Sequence, residues 1–248
     1  MRVAALYDIH GNLPALEAVL EDIRETEVDL IVIGGDVVPG PMPLETFELL
    51  LNLDIPVQFI MGNGDREVLT EMEGKHSSTL PEEVQKIIRH SAQQLLPEHK
   101  KLIATWPKTL RAEISGLSEV LFCHATPQND TEIFTRLTPE EKLLPIFNGV
   151  NESLVICGHT HMQFDRIVGK ARVVNAGSVG MPFQEPGAYW LLLGPDVQLR
   201  HTTYDLIQAG DRIRNTNYPQ AEEFAINNVL QPPSEQKTLE TFTKVELK

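Results

Sequence analysis

The sequence predicts an α/β layered protein, with parallel pairing in its first part and antiparallel pairing in its second, on three observations. Short apolar runs alternate with amphipathic stretches through the first 65 residues. The second half is dense in strand-like segments joined by short turns, and polar motifs stand where buried runs end. Strands that alternate with helices pair in parallel, because the intervening helix carries the chain back to the end of the sheet where it started.

Arg2 to Tyr7 reads as a buried strand. A helix follows from about Pro14 to Arg24, with Leu16, Val19, Leu20 and Ile23 on one face. Pro14 suits a first helical turn, where its missing N–H leaves no bond unmade. Leu30 to Ile33 is the next buried strand, ended by Gly34 and Gly35. Leu44 to Leu53 reads as a helix, and Val57 to Met61 as a third strand ending at Gly62. From Pro81 to Trp106 the pattern turns helical, with segments over about 82–96 and 98–105 separated by Pro97. This insertion is read first as packed on the core, with a cap over a substrate cleft as the alternative. Further strands are expected at Leu110–Ile114, Val120–Cys123, Leu154–Cys157, Arg172–Val174, Tyr189–Leu193 and Val197–Thr203. Helical patterns recur near Pro139–Phe147, Asp205–Arg214 and Glu222–Leu230. Residues 231–248 are polar with two prolines and are expected to form a poorly tied tail. No repeat or low-complexity linker divides residues 1–248, so one domain is expected.

Composition narrows the function. Hydrophobic residues at 42% and charged residues at 23% are ordinary for a soluble globular chain. No run of eighteen apolar residues occurs, so no membrane span is expected. The N-terminus reaches Asp8 without a cleavage signal, and a cytoplasmic location is expected. Cys123 and Cys157 agree with a reducing compartment and read as small buried hydrophobes. The 35 acidic against 21 basic residues, a formal net charge of −14, argue against broad contact with nucleic acid or anionic lipid. A phosphate-bearing substrate would need a local positive site to overcome that field.

Five motifs supply candidates for such a site: Asp8-Ile9-His10, Gly35-Asp36, Gly62-Asn63-Gly64-Asp65, His124 after VLFC, and Gly158-His159-Thr160-His161 after LVIC. Each stands at the end of an expected strand, where open α/β sheets place their sites. Asp8 and His10 are two apart, as are His159 and His161, and in extended backbone such pairs point to one side. Imidazole with carboxylate suits Zn, Mn, Fe, Co or Ni better than Ca or Mg. One such motif alone would more often be a turn or a satisfied buried pair; the ordered set is far more specific. His76, His90, His99 and His201 have no such setting and read as ordinary helix or strand residues.

The ordered set DxH, GD, GNxD, H and GHxH resembles the calcineurin-like metallophosphoesterase superfamily. The resemblance implies a four-layer sandwich of two mixed β-sheets flanked by helices. It also implies that Asp8, His10 and His161 bind one divalent metal and that Asn63, His124 and His159 bind a second. Asp36 would bridge the two because one carboxylate offers two oxygens. The cluster with its bridging hydroxide would keep one net positive charge to hold phosphate. The activity implied is phosphoester hydrolysis by in-line attack of that hydroxide, with a small phosphodiester, nucleotide or dinucleoside polyphosphate as substrate.

The chain departs from the family pattern at Gly64, where many members carry a histidine thought to protonate the leaving group. No catalytic histidine is therefore assigned, and the chain looks most like a bacterial and archaeal phosphodiesterase-like subgroup. Good leaving groups would then be favoured. Asp65 is read as a turn or supporting residue. Arg66 is open between a phosphate contact and a surface ion pair. Asn175 to Gly180 reads first as a glycine-rich turn. The alternative to an enzyme is a scaffold on the same fold, which loss of metal ligands would favour; all seven positions here hold metal-competent residues.

Overall fold

In the computed structural model, which describes residues 1–75 and 80–247, the chain forms two five-stranded mixed sheets flanked by helices. The first sheet contains β1 (Val3–Leu6), β2 (Leu30–Ile33), β3 (Val57–Phe59), β9 (Ala188–Leu193) and β10 (Val197–Thr202), in the order β10-β9-β1-β2-β3. Here β1, β2 and β3 run parallel, with Ala4 opposite Ile31 and Ile31 opposite Val57, while β9 pairs antiparallel with both β1 and β10. The second sheet contains β4 (Thr109–Ile114), β5 (Ser118–Cys123), β6 (Leu154–Cys157), β7 (Phe164–Val168) and β8 (Ala171–Asn175), in the order β4-β5-β6-β8-β7. Strands β5, β6 and β8 are parallel, and β4 and β7 are antiparallel edges.

The helices are α1 (Leu13–Arg24), α2 (Pro43–Leu51), α3 (Asn63–Met72), α4 (Glu82–Gln94), α5 (Pro97–Ile103), α6 (Glu140–Phe147), α7 (Leu206–Arg214), α8 (Ala221–Phe224) and α9 (Glu235–Phe242). A π-helix over Ala225–Leu230 continues α8. Period-two alternation divides each central strand between two cores. In β1, Ala4 and Leu6 pack with Leu16, Val19 and Phe47 of the helices, while Val3 and Ala5, with Tyr7 just past the strand, pack with Phe122 and Ile156 of the other sheet. In β6, Val155 and Cys157 turn outward onto Leu143 and Phe147 of α6. The layers are thus helix, sheet, sheet, helix, and each fully buried Leu or Ile contributes about 1.5–3 kcal/mol. No helix among the described residues is long and apolar enough to cross a membrane.

Three elements differ from the sequence expectation. α3 begins within the GNGD motif and is not among the expected helices, because its apolar face is short: Val68 is its one fully buried aliphatic side chain. β7 is an edge strand whose Asp165 and Ile167 are exposed, so it lacks an apolar run. The C-terminal segment is a correction: residues 231–247 are not poorly tied. Ser234 caps α9, Leu239 is buried, Thr138 Oγ1 donates to Glu246 Oε2 at 2.5 Å, and Leu247 N donates to the Ile133 carbonyl. Those ties are mostly polar and made to distant residues, which composition does not reveal.

Candidate metal centre

The loops that follow β1, β2, β5 and β6, together with the start of α3, bring all seven expected ligands to one end of the two sheets. They do not do so by extended backbone. Asp8, His10, Asp36, His159 and His161 have φ of 53°, 49°, 52°, 65° and 58°, so five of the seven lie in the left-handed region. Asp8 and His10, like His159 and His161, are therefore not brought to one side by the extended backbone that their spacing suggests. Each pair is aimed by two left-handed residues, a conformation in which Asp and His are enriched among non-glycine types. Close backbone approach explains the glycines beside them: a Cβ on Gly35, whose φ is +93°, would fall 2.7 Å from Gly62 Cα and from His124 Nδ1.

Five of the seven candidate ligands are oriented by a bond made at the far end of the side chain. His10, His124 and His161 place Nδ1 against the carbonyls of Pro39, Gly34 and Met181 at 3.1, 2.8 and 2.7 Å. An Nδ1–H donated there leaves the Nε2 lone pair facing the cluster, the tautomer a metal ligand needs. Asp8 Oδ2 accepts from His159 N at 2.8 Å, and Asp36 Oδ1 accepts from Gly64 N at 2.7 Å. The opposite oxygens are the ones that face inward. Asp36 Oδ2 lies 3.7 Å from both His10 Nε2 and His124 Nε2. Asp8 Oδ1 lies 3.9 Å from those same two atoms and 3.3 Å from His161 Nε2. The expected reason for an Asp36 bridge was two free oxygens; one of them is held by Gly64, and the other is equidistant from the two histidines.

Two features fit a cation. Asp8 is fully buried, yet its Oδ1 has no hydrogen-bond partner. A buried carboxylate oxygen left bare is costly unless positive charge faces it. The side-chain amide of Asn63 abuts His124 Nε2, His159 Nδ1 and the Asp130 carbonyl at 3.0, 3.0 and 3.1 Å. With NH₂ on that side it donates to all three; with oxygen there it meets only lone pairs, an arrangement that a cation makes favourable. Among the described residues, two groups of side-chain atoms lie close enough to hold an ion, Asp8–His10–His161 and Asp8–Asp36–His124.

The electrostatics agree. Burial alone would raise the Asp8 carboxyl, but His161, His124 and His10 hold it well below the usual carboxylate range. Burial lowers His159 to about 4, helped by His124, so its imidazole is neutral. His124 is depressed by burial, yet Asp36 and Asp8 outweigh that and raise it. Asp65 is fully buried; its carboxylate accepts from the N–H groups of Asp36, Val37, Val38 and Gly62 at 2.7, 2.9, 3.1 and 3.2 Å. It therefore fastens the loop that carries Asp36, in keeping with a supporting role. Arg66 makes a two-pronged ion pair with Asp130 at 2.8 and 3.2 Å and a third bond to Glu67.

Sequence reasoning undervalued residues 175–180. Ser178 Oγ donates to the Asp8 carbonyl at 2.7 Å and accepts from Met181 N at 2.7 Å. Asn175 Nδ2 donates to the Gly158 carbonyl at 2.6 Å. The segment ties the DxH loop to the GHxH loop, so it is more than a turn. His90, His99 and His201 lie apart from the cluster, against Tyr218, Phe47 and Tyr189. His76 lies outside the described residues. Cys123 and Cys157 are free and buried, as small hydrophobes are.

A pocket of about 320 Å³ opens directly on His10, Asp36 and Asn63. Val84, Ile87 and Ile88 of α4, within the helical insertion, line part of its wall.

Comparison with known proteins places this geometry. The family model of the calcineurin-like phosphoesterase superfamily domain matches residues 1–194. An uncharacterized protein of Methanocaldococcus jannaschii is 28% identical over 239 residues, covering 88% of this chain and 94% of its own. A crystal structure of a hypothetical protein from Pyrococcus horikoshii superposes with a TM-score of 0.80 at 24% identity, over 94% of this chain and 99% of that one. A metallophosphoesterase from Sphaerobacter thermophilus gives a TM-score of 0.70 at 25% identity, over 92% and 99% of the two chains.

Proposed function

Because the chain belongs to the calcineurin-like phosphoesterase superfamily, we propose that it is a dinuclear metal-dependent phosphoesterase acting on small phosphodiesters or nucleotides. The observation that carries this reading is the bare Asp8 Oδ1 at the centre of three imidazole Nε2 atoms, none farther than 3.9 Å. In the proposed site Asp8, His10 and His161 hold one divalent cation, Asn63, His124 and His159 hold the other, and Asp36 is shared. The central position of Asp36 Oδ2 between His10 and His124 supports the sharing. Nitrogen and oxygen ligands together favour Mn, Fe, Zn, Co or Ni. When bound, such cations supply Lewis acidity, lowering the pKa of water and neutralising charge on the phosphoryl oxygens.

The chain's own residues do the rest. Three backbone carbonyls engage Nδ1 of His10, His124 and His161, so Nε2 is the atom each ring presents to a cation. Asn63 can ligate through its amide oxygen without adding negative charge, which leaves the cluster positive enough to hold a phosphate in an acidic protein. Hydrolysis forms one P–O bond to water and breaks the ester P–O bond, and a proton ends on the leaving oxygen. Gly64 offers no side chain to deliver that proton, so esters with low-pKa leaving groups are favoured. The test is hydrolysis of bis-p-nitrophenyl phosphate with added Mn²⁺. Wild-type protein should turn it over, and His124→Ala should lose at least about 100-fold in kcat. Equal rates in the two proteins would refute the assignment.

A further inference from the structure

Besides the candidate ligands, the pocket is lined by two segments far apart in sequence. One is α4; the other follows the region matched by the family, which ends at residue 194. The second segment contributes Tyr218, Gln220, Glu223, Phe224, Asn227 and Asn228. The two are joined: Ile87 packs among Tyr218, Phe224 and Val229, the His90 ring meets Tyr218 edge-on at 5.4 Å, and Gln220 Nε2 donates to Glu83 at 3.3 Å. Asn227 and Asn228 sit in the π-helix, a rare geometry that recurs at functional sites.

The chemistry of this wall is selective. Its apolar part, including Val84, Ile87 and Phe224, suits the face of a flat organic group. Its polar part is three primary amides, Gln220, Asn227 and Asn228, each able to donate and accept. Amides of this kind read the edges of nucleobases. Among the described residues that line the pocket there is no Lys or Arg, and Glu223 adds a negative charge. A second or third phosphate running out from the cluster would therefore meet an acid and an apolar surface with no counter-ion. The volume of about 320 Å³ is also at the small end for ligand sites.

We infer that the segment from Tyr218 to Asn228, with α4, is the recognition surface for a nucleoside attached to a single phosphodiester, and that it disfavours polyphosphate chains. This deepens the phosphoesterase reading and rests on it.

Two diesters with the same leaving group and charge test it: thymidine 5′-(p-nitrophenyl) phosphate and ethyl p-nitrophenyl phosphate, assayed with Mn²⁺. The wild-type protein should prefer the thymidine ester by at least tenfold in kcat/KM. Asn227→Ala/Asn228→Ala, at residues that are not buried, should collapse that preference to below threefold, through KM and with kcat little changed. Glu223→Lys should raise hydrolysis of diadenosine tetraphosphate several-fold over the wild type. Calorimetry with uncharged thymidine on chelator-treated protein adds a readout free of catalysis: the wild type should bind and the double variant should not. Equal kcat/KM for the two esters, or a preference that survives the double variant, would overturn the inference and leave the phosphoesterase reading standing. Absence of hydrolysis of every ester with every metal would overturn both.

Discussion

Asp65→Asn changes one atom, and the structure says what it should cost. The carboxylate accepts four backbone N–H bonds, two at each oxygen: Asp36 and Gly62 at Oδ2, and Val37 and Val38 at Oδ1. Asparagine keeps one acceptor and turns an NH₂ toward the other two donors. Two buried N–H groups then lose their partner, at about 1–2 kcal/mol each, for a loss of about 2–4 kcal/mol. Some of this is returned, because burial and the nearby Asp36 carboxylate push the Asp65 carboxyl up to about 7, and the amide removes that repulsion. A net loss of about 2–3 kcal/mol should lower Tm by roughly 4–12 °C in a chain of this size. Thermal melts in chelator measure it without metal linkage. The same variant should bind Mn²⁺ more weakly, since the loop it releases carries Asp36. A Tm within 1 °C of wild type together with unchanged Mn²⁺ affinity would show that Asp65 does not fasten this loop.

Three further outcomes are expected. Gly64→Ala puts a Cβ 2.7 Å from Pro39 Cγ and 3.0 Å from Asp36 Oδ1; overpacking of this kind costs about 1–3 kcal/mol, visible as a lower Tm and a slower phosphodiesterase rate. A histidine there would displace Asp36 as well as add an acid, so restoring the family's histidine should not by itself restore leaving-group protonation. Ser178→Ala removes the hydroxyl that links the Asp8 carbonyl to Met181 N; supporting bonds around metal ligands are worth about 10–100-fold in affinity, and competitive chelator titration would register that drop. His124 is raised above its ordinary value by Asp36 and Asp8 despite its burial. In the metal-free protein its protonated form stabilises the fold below about pH 6.5, and that contribution disappears as pH climbs through the raised pKa. A cation must displace this proton, so calorimetry near neutral pH in buffers of different ionisation enthalpy should show proton release on metal uptake; none would contradict a charged His124.

The parallel core was legible because its signals are local. β2 and β6 are uninterrupted apolar tetrapeptides, LIVI and LVIC, buried at every position. The candidate ligands stand out in the sequence for a different reason: Asp, His and Asn at strand ends have few structural duties that would place them there in that order. Their geometry was not. Sequence spacing suggested extended backbone, whereas left-handed φ is imposed by long-range bonds such as Asp8 N to the Gly35 carbonyl and His10 N to the Asp36 carbonyl. The supporting roles of Ser178 and Asn175 were hidden for the same reason, since the partner of Ser178 lies 170 residues away. The attachment of the C-terminal segment is invisible in its composition, because Glu246 is held by Thr138 and Lys142 across the chain.

Left-handed backbone at five ligand positions also bears on why the fold tolerates the site. Each such residue costs about 1–2 kcal/mol relative to the right-handed region, against a net stability of about 5–15 kcal/mol for a typical domain. That strain persists only where surrounding bonds over-determine the conformation. Here they do: the Asp8 carbonyl accepts from both Ser178 Oγ and Gly180 N, and the His10 and Gly11 amides are held by the Asp36 and Val37 carbonyls. The DxH, GD and NAGS segments therefore brace one another, and a change in any one loosens ligands contributed by the others. Strain of this kind also aims the ligands before a cation arrives. Lone pairs that would otherwise relax away from each other are kept converging, and the bare Asp8 oxygen marks where they meet. Binding a cation would relieve that repulsion without rebuilding the backbone, so the metal-loaded protein should melt higher than the metal-free one while keeping the same fold.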